Sequence, residues 1–259
     1  MFNQTVQQLN NCQHCALSDV CLASSVQQPA NCANPSHRVY HRGDPLFSMG
    51  DQFDALYILR AGSAKSFLSS SQGDEQITGF YHPGDLIGAD GFDSMTYAQS
   101  LTFLETSSVC RINLSELNRA MAESPKMLQR LLQSMSHSLV GEQQMVLSVS
   151  KLSAEQRLAK FFLDLSSRFK MRGLSDTVFD LSMTRIDMAN FLGMAIETIS
   201  RLLGKLQAQG IIDVNRRQIT LLNIGRLQDC LSDVEDGQWY PSPQVKDKVA
   251  KQQHVKLSA

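Results

Sequence analysis

Glycine-centred turns recur about every ten residues between positions 38 and 112, and this spacing constrains the fold more than any other feature. The turn pairs are Gly43-Asp44, Gly50-Asp51, Gly62-Ser63, Gly73-Asp74 and Gly84-Asp85. Glycine tolerates positive φ and aspartate hydrogen-bonds nearby backbone, so these pairs suit tight turns. The runs between them, such as 55–59 and 76–80, are rich in β-forming residues. Short strands with evenly spaced turns predict a β-sandwich, roll or barrel.

A helical region with a heptad pattern follows, from residue 115 to about residue 152. Ser124 is a candidate cap and Pro125 suits a first helical turn. A seam of positions then recurs at alternating steps of four and three, at Leu128, Leu132, Met135, Leu139, Glu142, Val146 and Val149, and all but Glu142 are apolar. Such a narrow seam, flanked by polar residues, favours a dimeric coiled coil over a helix that lies on its own core.

One acidic residue, Glu142, interrupts this seam. Two such carboxylates facing each other across a dimer axis repel by roughly 3 kcal/mol, at about 6 Å and an effective dielectric constant of about 20. Exposure to solvent reduces that energy. We therefore expect a conditional dimer, or no effect at all where Glu142 turns out to water.

Two short helices with a glycine between them predict a helix-turn-helix. Residues 184–192 begin with the capping residue Thr184, and Gly193 follows where a tight turn needs tolerance of positive φ. Residues 196–206 form the second helix, and strand-like runs around 215–217 predict a β-hairpin wing. The first helix carries apolar side chains at Ile186, Ala189 and Leu192.

The outer face of the second helix carries Glu197, Ser200 and Arg201, at i, i+3 and i+4. Arginine can bond guanine O6 and N7, and glutamate can accept from cytosine N4, at roughly 1–3 kcal/mol per good contact. The alternative is a surface ion pair worth a few tenths of a kcal/mol. The turn glycine and the wing favour DNA reading. Candidate phosphate contacts are Arg185, Lys205, Arg216 and Arg217.

Cys12, Cys15 and Cys21 form a Cys-x2-Cys-x5-Cys cluster near the N-terminus. Zinc takes four ligands and favours Cys-x2-Cys, whereas iron–sulfur clusters often take local thiolates and a remote one. The spacing alone leaves both open, together with redox thiols. Candidates for a fourth ligand are Cys110, Cys32 and His14, whereas Cys230 is expected to be an unliganded helical cysteine.

Bulk properties exclude several classes of protein. No run of about 18 apolar residues is present, and the N-terminus lacks the features of a secretory signal. We therefore expect a cytoplasmic protein, in which clustered thiols indicate metal or redox sites. The net charge is -1, so any DNA-binding surface must be local. The chain has no P-loop, Gly-x-Ser-x-Gly or His-Glu-x-x-His motif, so no enzymatic activity is expected.

Several strings together resemble the fumarate–nitrate reduction regulators, anaerobic sensors within the cAMP-receptor-protein superfamily. The strings are Cys-x2-Cys-x5-Cys, residues 73–80, 84–86 and 106–110, and the highly specific 197–204, Glu-Thr-Ile-Ser-Arg-Leu-Leu-Gly. The resemblance runs from about Cys12 to Leu222. It implies an α+β fold with an N-terminal β-roll sensor domain, like a cyclic-nucleotide-binding jelly roll, a long dimerisation helix and a C-terminal winged helix-turn-helix.

The resemblance also implies an oxygen-responsive, DNA-binding regulator of anaerobic metabolism. It places a [4Fe–4S] cluster on Cys12, Cys15, Cys21 and Cys110. The intact cluster is expected to promote dimerisation, and oxygen is expected to destroy it and inactivate the protein.

The resemblance assigns roles outside the cluster as well. Glu197, Ser200 and Arg201 are expected to read TTGAT half-sites in two-fold symmetric DNA. Glu142 lands where the family carries an acidic residue on its dimer helix. The turn that contains Gly73 and Asp74 corresponds to a surface that contacts RNA polymerase in the family.

Departures from the family pattern affect the region after Cys21. Residues 23–32 are short and polar and include Pro29, where the family has an amphipathic helix. The cover over the cluster, and its oxygen sensitivity, are expected to differ. Cys32 is an extra thiol that can compete with Cys110 as a ligand. The Arg-Ser pair that holds the phosphate in cyclic-nucleotide sensors is missing before Arg111, so no cyclic nucleotide is expected.

The expected organisation is a cysteine-rich segment at 1–34, a β-roll at 35–114, a dimerisation helix at 115–152, a winged helix-turn-helix domain at 153–230 and a disordered tail at 231–259. The alternative function is a zinc-stabilised or cluster-independent regulator that binds DNA constitutively.

Overall fold

A computed structural model of the protein describes residues 37–231. These residues form two compact units. The first unit contains residues 37–146 together with 182–193, and the second contains 147–181 together with 194–231. The predicted cysteine-rich segment and the predicted tail beyond residue 231 lie outside the described residues.

Antiparallel strands of the first unit form two four-stranded sheets. They are β1 (His37–Tyr40), β2 (Pro45–Phe47), β3 (Ala55–Ala61), β4 (Ala64–Ser69), β5 (Glu75–Tyr81), β6 (Leu86–Ile87), β7 (Ser100–Phe103) and β8 (Ser107–Asn113). One sheet has the order β1-β8-β3-β6 and the other the order β2-β7-β4-β5. The expectation of short strands between evenly spaced turns is confirmed.

The glycine-centred turns adopt the conformation that their residues predict. Gly43 and Gly84 have φ values of 89° and 95°, in the region that glycine tolerates best. The aspartate after each glycine closes the turn with its carboxylate. Oδ2 of Asp44 accepts from the backbone N–H of His41, and Oδ2 of Asp85 accepts from that of His82, each at 2.8 Å.

The core of the first unit combines large apolar side chains from both sheets. Ile58 of β3 and Phe103 of β7 are fully buried, and burying such a side chain contributes roughly 1.5–3 kcal/mol. Tyr97 stacks on Phe47 with ring centroids 3.8 Å apart. Its hydroxyl donates to the carbonyl oxygen of Ala55 at 2.8 Å, so the buried polar group is satisfied.

Two helices, rather than one continuous helical region, follow β8. Helix α1 spans Leu114–Glu123 and helix α2 spans Pro125–Lys151. Ser124 between them has an extended backbone, with φ -136° and ψ 103°, because a residue before proline avoids the helical region. Met127 and Leu131 of α2 are buried in the core of the first unit, so its first turns are anchored there.

The remaining elements follow α2 along the chain. They are α3 (Ala154–Met171), β9 (Val178–Asp180), α4 (Arg185–Leu192), α5 (Ile196–Ala208), β10 (Ile212–Asn215), β11 (Gln218–Leu221) and α6 (Ile224–Asp229). Helix α4 belongs to the first unit and the others to the second. The sheet order β10-β11-β9 confirms the predicted hairpin and adds a third strand. Within residues 37–231, no helix combines the length and apolar character needed to cross a membrane.

Candidate nucleic-acid interface and helix seam

Local hydrogen bonds fix both ends of α4, as its sequence predicts. Oγ1 of Thr184 accepts from the backbone N–H of Asp187 at 3.1 Å, and Oδ2 of Asp187 accepts from that of Thr184 at 2.9 Å. This reciprocal capping box satisfies two backbone donors that a helix start leaves unpaired. At the other end, Gly193 takes a left-handed conformation with φ 62°. The turn glycine of the predicted helix-turn-helix is therefore confirmed.

The apolar pattern assigned to α4 is partly wrong. Ala189 and Leu192 are buried, but Ile186 is 67% exposed. Met188, which the pattern omitted, is fully buried. Successive helical residues are about 100° apart, so Ile186 points about 200° away from Met188. Residues at 188, 189 and 192 share one face, and the i, i+4 spacing of Met188 and Leu192 was the signal that could have identified it.

Helix α5 separates a buried face from a polar, exposed one. Glu197, Ser200 and Arg201 are all exposed. The buried face consists of Ile199, Leu202, Leu203 and Leu206. Because the apolar face fixes the rotation of the helix within the second unit, the three polar side chains are presented together to solvent. Their arrangement matches the one predicted for reading base edges.

The candidate phosphate contacts differ in their surroundings. Arg185 is exposed at the start of α4. Lys205 is about half exposed and pairs with Glu155 of α3, with Nζ and Oε2 2.6 Å apart. Arg216 and Arg217 form the exposed tip of the β10–β11 hairpin, and Arg216 has a φ of 56°. A phosphate contact by Lys205 would require it to leave Glu155, whereas Arg185 and Arg216 already face solvent.

Most of the predicted seam on α2 is exposed in the single chain. Leu132, Leu139 and Val146 are 57%, 55% and 69% exposed. Leu128 and Val149 are exposed too. Met135 differs because it packs partly buried against the core of the first unit. Glu142 is exposed between Leu139 and Val146. A row of exposed large apolar side chains indicates a surface that a partner covers.

Cys110 is the predicted cluster ligand that falls within the described residues. It lies in β8, opposite His37 of β1 and Ile58 of β3, and is 7% exposed. Val109 is buried as well, so both faces of the sheet are covered here, since successive side chains point to opposite faces. The other proposed ligands, Cys12, Cys15 and Cys21, lie outside the described residues, as do Cys32 and His14.

The described residues do not complete a metal site by themselves. No group of three or more His, Cys, Asp or Glu side chains with metal-binding geometry occurs in residues 37–231. A site at Cys110 therefore needs ligands from the rest of the chain. Cys230 lies at the end of α6, where its thiol donates to the carbonyl oxygen of Arg226 and burial raises its pKa.

The turn between β4 and β5 is compact and exposed. The backbone N–H of Ser70 donates to the carbonyl oxygen of Asp74 at 2.8 Å, and that of Gly73 donates to the carbonyl oxygen of Ser70 at 3.0 Å. Oγ of Ser70 accepts from the N–H of Asp74 at 3.1 Å. The turn is thus internally hydrogen-bonded while the side chain of Asp74 remains exposed.

Two family models match the chain. The model described as a Crp-like helix-turn-helix domain matches residues 156–230, and the one described as a cyclic nucleotide-binding domain matches residues 37–124. Together with the observed sheets, they confirm the predicted fold class.

Curated relatives match most of the chain. The fumarate and nitrate reduction regulatory protein of Vibrio cholerae is 40% identical over 226 residues, which is 85% of this chain and 89% of the relative. The protein of that name from Escherichia coli (strain K12) is 39% identical over 82% of this chain and 87% of its own. The anaerobic regulatory protein of Aggregatibacter actinomycetemcomitans is 38% identical over 84% of this chain and 86% of its own. These relatives are named as regulators, not as enzymes.

A solved structure shows the same architecture. FixK2 from Bradyrhizobium japonicum matches with a TM-score of 0.69 and 25% identity, over 75% of this chain and 96% of that one.

Proposed function

Since the chain belongs to the fumarate and nitrate reduction regulators, DNA-binding transcription regulators of the CRP/FNR family, we propose that it is an oxygen-responsive cytoplasmic regulator of anaerobic metabolism. It activates or represses transcription by binding two-fold symmetric DNA as a dimer. The observation that carries the DNA-binding part is the exposed trio Glu197, Ser200 and Arg201 on α5.

The exposed face of α5 suits contact with a G·C base pair, and the basic residues suit contact with the DNA phosphates. Arg201 bonds guanine, Glu197 accepts from cytosine and Ser200 contacts a neighbouring base in a TTGAT half-site. The phosphate contacts come from Arg185, Lys205, Arg216 and Arg217. Lys205 is held by Glu155, whereas Arg185 and Arg216 are exposed. The base contacts specify sequence, and the phosphate contacts set register.

The seam on α2 supports dimerisation. The exposed side chains Leu132, Leu139 and Val146 gain burial when a second copy packs along the same stripe. Glu142 lies within that stripe and opposes the pairing by like-charge repulsion. The dimer is therefore marginal, and a modest change elsewhere in the protein decides whether it forms. A dimer whose formation depends on a small change in free energy can act as a regulatory switch.

Cys110 fits the role of the fourth ligand to a [4Fe–4S] cluster. Its thiol is buried among apolar side chains, which would shield iron and sulfur bound there from water. The chain between Cys21 and His37 can extend over about 50 Å, so the three N-terminal cysteines can reach a thiol opposite His37. When bound, the cluster supplies an oxygen-labile link between these parts of the chain.

We propose that this link affects dimerisation because β8, which carries Cys110, is connected along the chain to the dimer helix. A cluster held by Cys12, Cys15, Cys21 and Cys110 would tie the N-terminal segment to β8. Strand β8 leads directly into α1 and then α2. The seam on α2 then pairs despite Glu142, and two α5 helices enter successive major grooves about one turn apart. Loss of the link returns the protein to monomers with weak DNA affinity.

Two further features support the assignment. The compact turn that presents Gly73 and Asp74 offers an exposed surface for RNA polymerase. We also propose that no cyclic nucleotide is required; Arg111 pairs with Asp54, with Nη2 and Oδ2 2.6 Å apart.

The decisive experiment is anaerobic purification with iron and sulfide analysis, followed by sizing and DNA binding before and after exposure to air. We expect a broad visible absorption that air bleaches, together with dissociation of the dimer and loss of DNA binding. A colourless protein with stoichiometric zinc, binding DNA equally with and without air, would show a constitutive regulator instead.

A further inference from the structure

Strand β5 is an edge strand, because β4 is its only neighbour in the described sheet. An edge strand presents unpaired backbone groups on its outer side. The side-chain amide of Asn190 in α4 satisfies two of them. Its Oδ1 accepts from the N–H of Ile77 at 2.7 Å, and its Nδ2 donates to the carbonyl oxygen of Glu75 at 2.7 Å. One amide thus replaces the missing neighbour strand at this point.

Further contacts surround this amide. Nε2 of Gln76 donates to the carbonyl oxygen of Asn190 at 3.1 Å. Nζ of Lys65 in β4 lies 2.8 Å from Oδ1 of Asp187, and the two side chains are 18% and 12% exposed. Phe80 and Phe191 pack edge to face, with ring centroids 5.0 Å apart. We call this set of interactions between the β4–β5 region and helix α4 the α4–β5 contact.

The α4–β5 contact leaves the candidate DNA-binding side chains open. Arg185 on α4 is exposed, and so are Glu197, Ser200 and Arg201 on α5. The residues of α4 that make the contact are instead Asp187, which pairs with Lys65 of β4, and Asn190 and Phe191, which contact β5. The contact therefore holds the first helix of the helix-turn-helix without occupying its DNA-facing residues.

Only residues 193–195 join α4 to α5, as in a helix-turn-helix, so a contact that holds α4 restricts how far α5 can move from it. Two such motifs in a dimer must meet half-sites separated by about one helical turn. We propose that the α4–β5 contact is a spacing device, in which Lys65 and Gln76 position the reading motif and make binding selective for one half-site separation. This proposal rests on the proposed function, dimeric binding to two-fold symmetric DNA.

The test uses the full chain, purified without oxygen, and three DNA probes. One probe carries two half-sites at the preferred separation, the second carries one inserted base pair between them, and the third carries a single half-site. The insertion rotates one half-site by about a tenth of a turn. The variants are Lys65→Gln, which removes the ion pair, and Gln76→Ala, which removes the amide contact from an exposed position. Both residues lie outside the helix-turn-helix.

We expect the unaltered protein to prefer the correctly spaced probe. Lys65→Gln should reduce that preference about ten-fold (~1.4 kcal/mol) while single half-site binding is unchanged. Gln76→Ala should act in the same direction with a smaller effect. Lys160→Gln is the matched control, because it also removes a largely buried lysine from an ion pair, with Asp164, but away from α4 and β5. Its spacing preference should match that of the unaltered protein.

The remaining outcomes separate this proposal from the function on which it rests. An unchanged spacing preference in Lys65→Gln and Gln76→Ala would overturn the spacing device alone. Tighter binding of these variants to all three probes would also overturn it, since that result would mean that the α4–β5 contact inhibits DNA binding. If the unaltered protein binds the two-fold probe no better than a single half-site, dimeric reading fails and the spacing device fails with it.

Discussion

Nζ of Lys65 in β4 and Oδ1 of Asp187 in α4 lie 2.8 Å apart in largely buried surroundings. Burial opposes ionisation of Asp187, but hydrogen bonds from Lys65 and Thr184 outweigh it and lower the pKa of the carboxyl group. The aspartate is therefore charged at neutral pH. It stabilises the lysine and the start of α4 at the same time.

The lowered pKa of Asp187 predicts an acid dependence of stability. Because the folded pKa lies below the unfolded value of about 3.9, the stabilisation is fully present above that value and is lost as the pH falls through the folded pKa. Asp187→Asn removes this contribution, so its unfolding free energy should depend less on pH below about pH 4. Urea unfolding over a pH series measures how the unfolding free energies of Asp187→Asn and of the unaltered protein depend on pH. Asp164→Asn, at an exposed partner of Lys160, should keep the steeper slope; equal slopes for Asp187→Asn and the unaltered protein would refute the linkage.

Replacing Glu142 with leucine should strengthen dimerisation. The change removes a like-charge repulsion of up to roughly 3 kcal/mol and adds apolar surface to the α2 seam. Exposure of the carboxylate makes the real gain smaller, so we expect about a ten-fold tighter dimer, the effect of ~1.4 kcal/mol. Sedimentation of the protein after exposure to air measures it.

A matched control separates the seam from general hydrophobicity. Gln133→Leu adds the same exposed side chain to α2, but next to Leu132 and off the seam. It should leave the monomer–dimer equilibrium unchanged. Equal strengthening by both variants would mean that added apolar area, and not relief of repulsion at Glu142, drives association.

Local features of this chain were predictable because short-range chemistry determines them. Gly193 needs positive φ wherever a tight turn joins two helices, and the capping pattern of Thr184 and Asp187 acts within four residues. The polar face of α5 follows from helical periodicity. These elements do not depend on distant parts of the fold, so pattern and propensity suffice for them.

Long-range packing was not predictable in the same way. Asn190 reads as an ordinary polar helix residue, yet its amide binds the backbone of Glu75 and Ile77, over a hundred positions away. Ile186 reads as a core residue and is exposed. Nothing local reports which strand forms a sheet edge, so the contact of Asn190 could not follow from periodicity, whereas the spacing of Met188 and Leu192 could have placed Ile186 on the exposed side of α4. Cys110 was assigned as a ligand through resemblance, and the structure places it in the core of the first unit.

Arg201→Ala should remove discrimination at one G·C position of the half-site. A good bidentate contact to guanine contributes roughly 1–3 kcal/mol, so affinity for the cognate sequence falls while affinity for the substituted sequence changes little. Binding to a probe set with each base substituted in turn measures this. Arg185→Ala is the comparison, because a phosphate contact weakens all sequences alike and lowers the salt slope by about 1. Uniform weakening by Arg201→Ala would reassign Arg201 to the phosphate class.

Arg216→Gly should stabilise the fold while weakening DNA binding. Arg216 has a φ of 56°, where a side chain costs roughly 1–2 kcal/mol and glycine does not. Arg217, the next residue of the hairpin tip, is not among the positive-φ residues. Arg217→Gly should therefore lose stability, because glycine adds flexibility to the unfolded chain without relieving strain. Both variants should lose affinity uniformly and show a smaller salt slope, since each removes one proposed phosphate contact. Thermal unfolding and salt titration of DNA binding separate the two effects, and a similar change in stability for both variants would show that the hairpin tip stores no strain at Arg216.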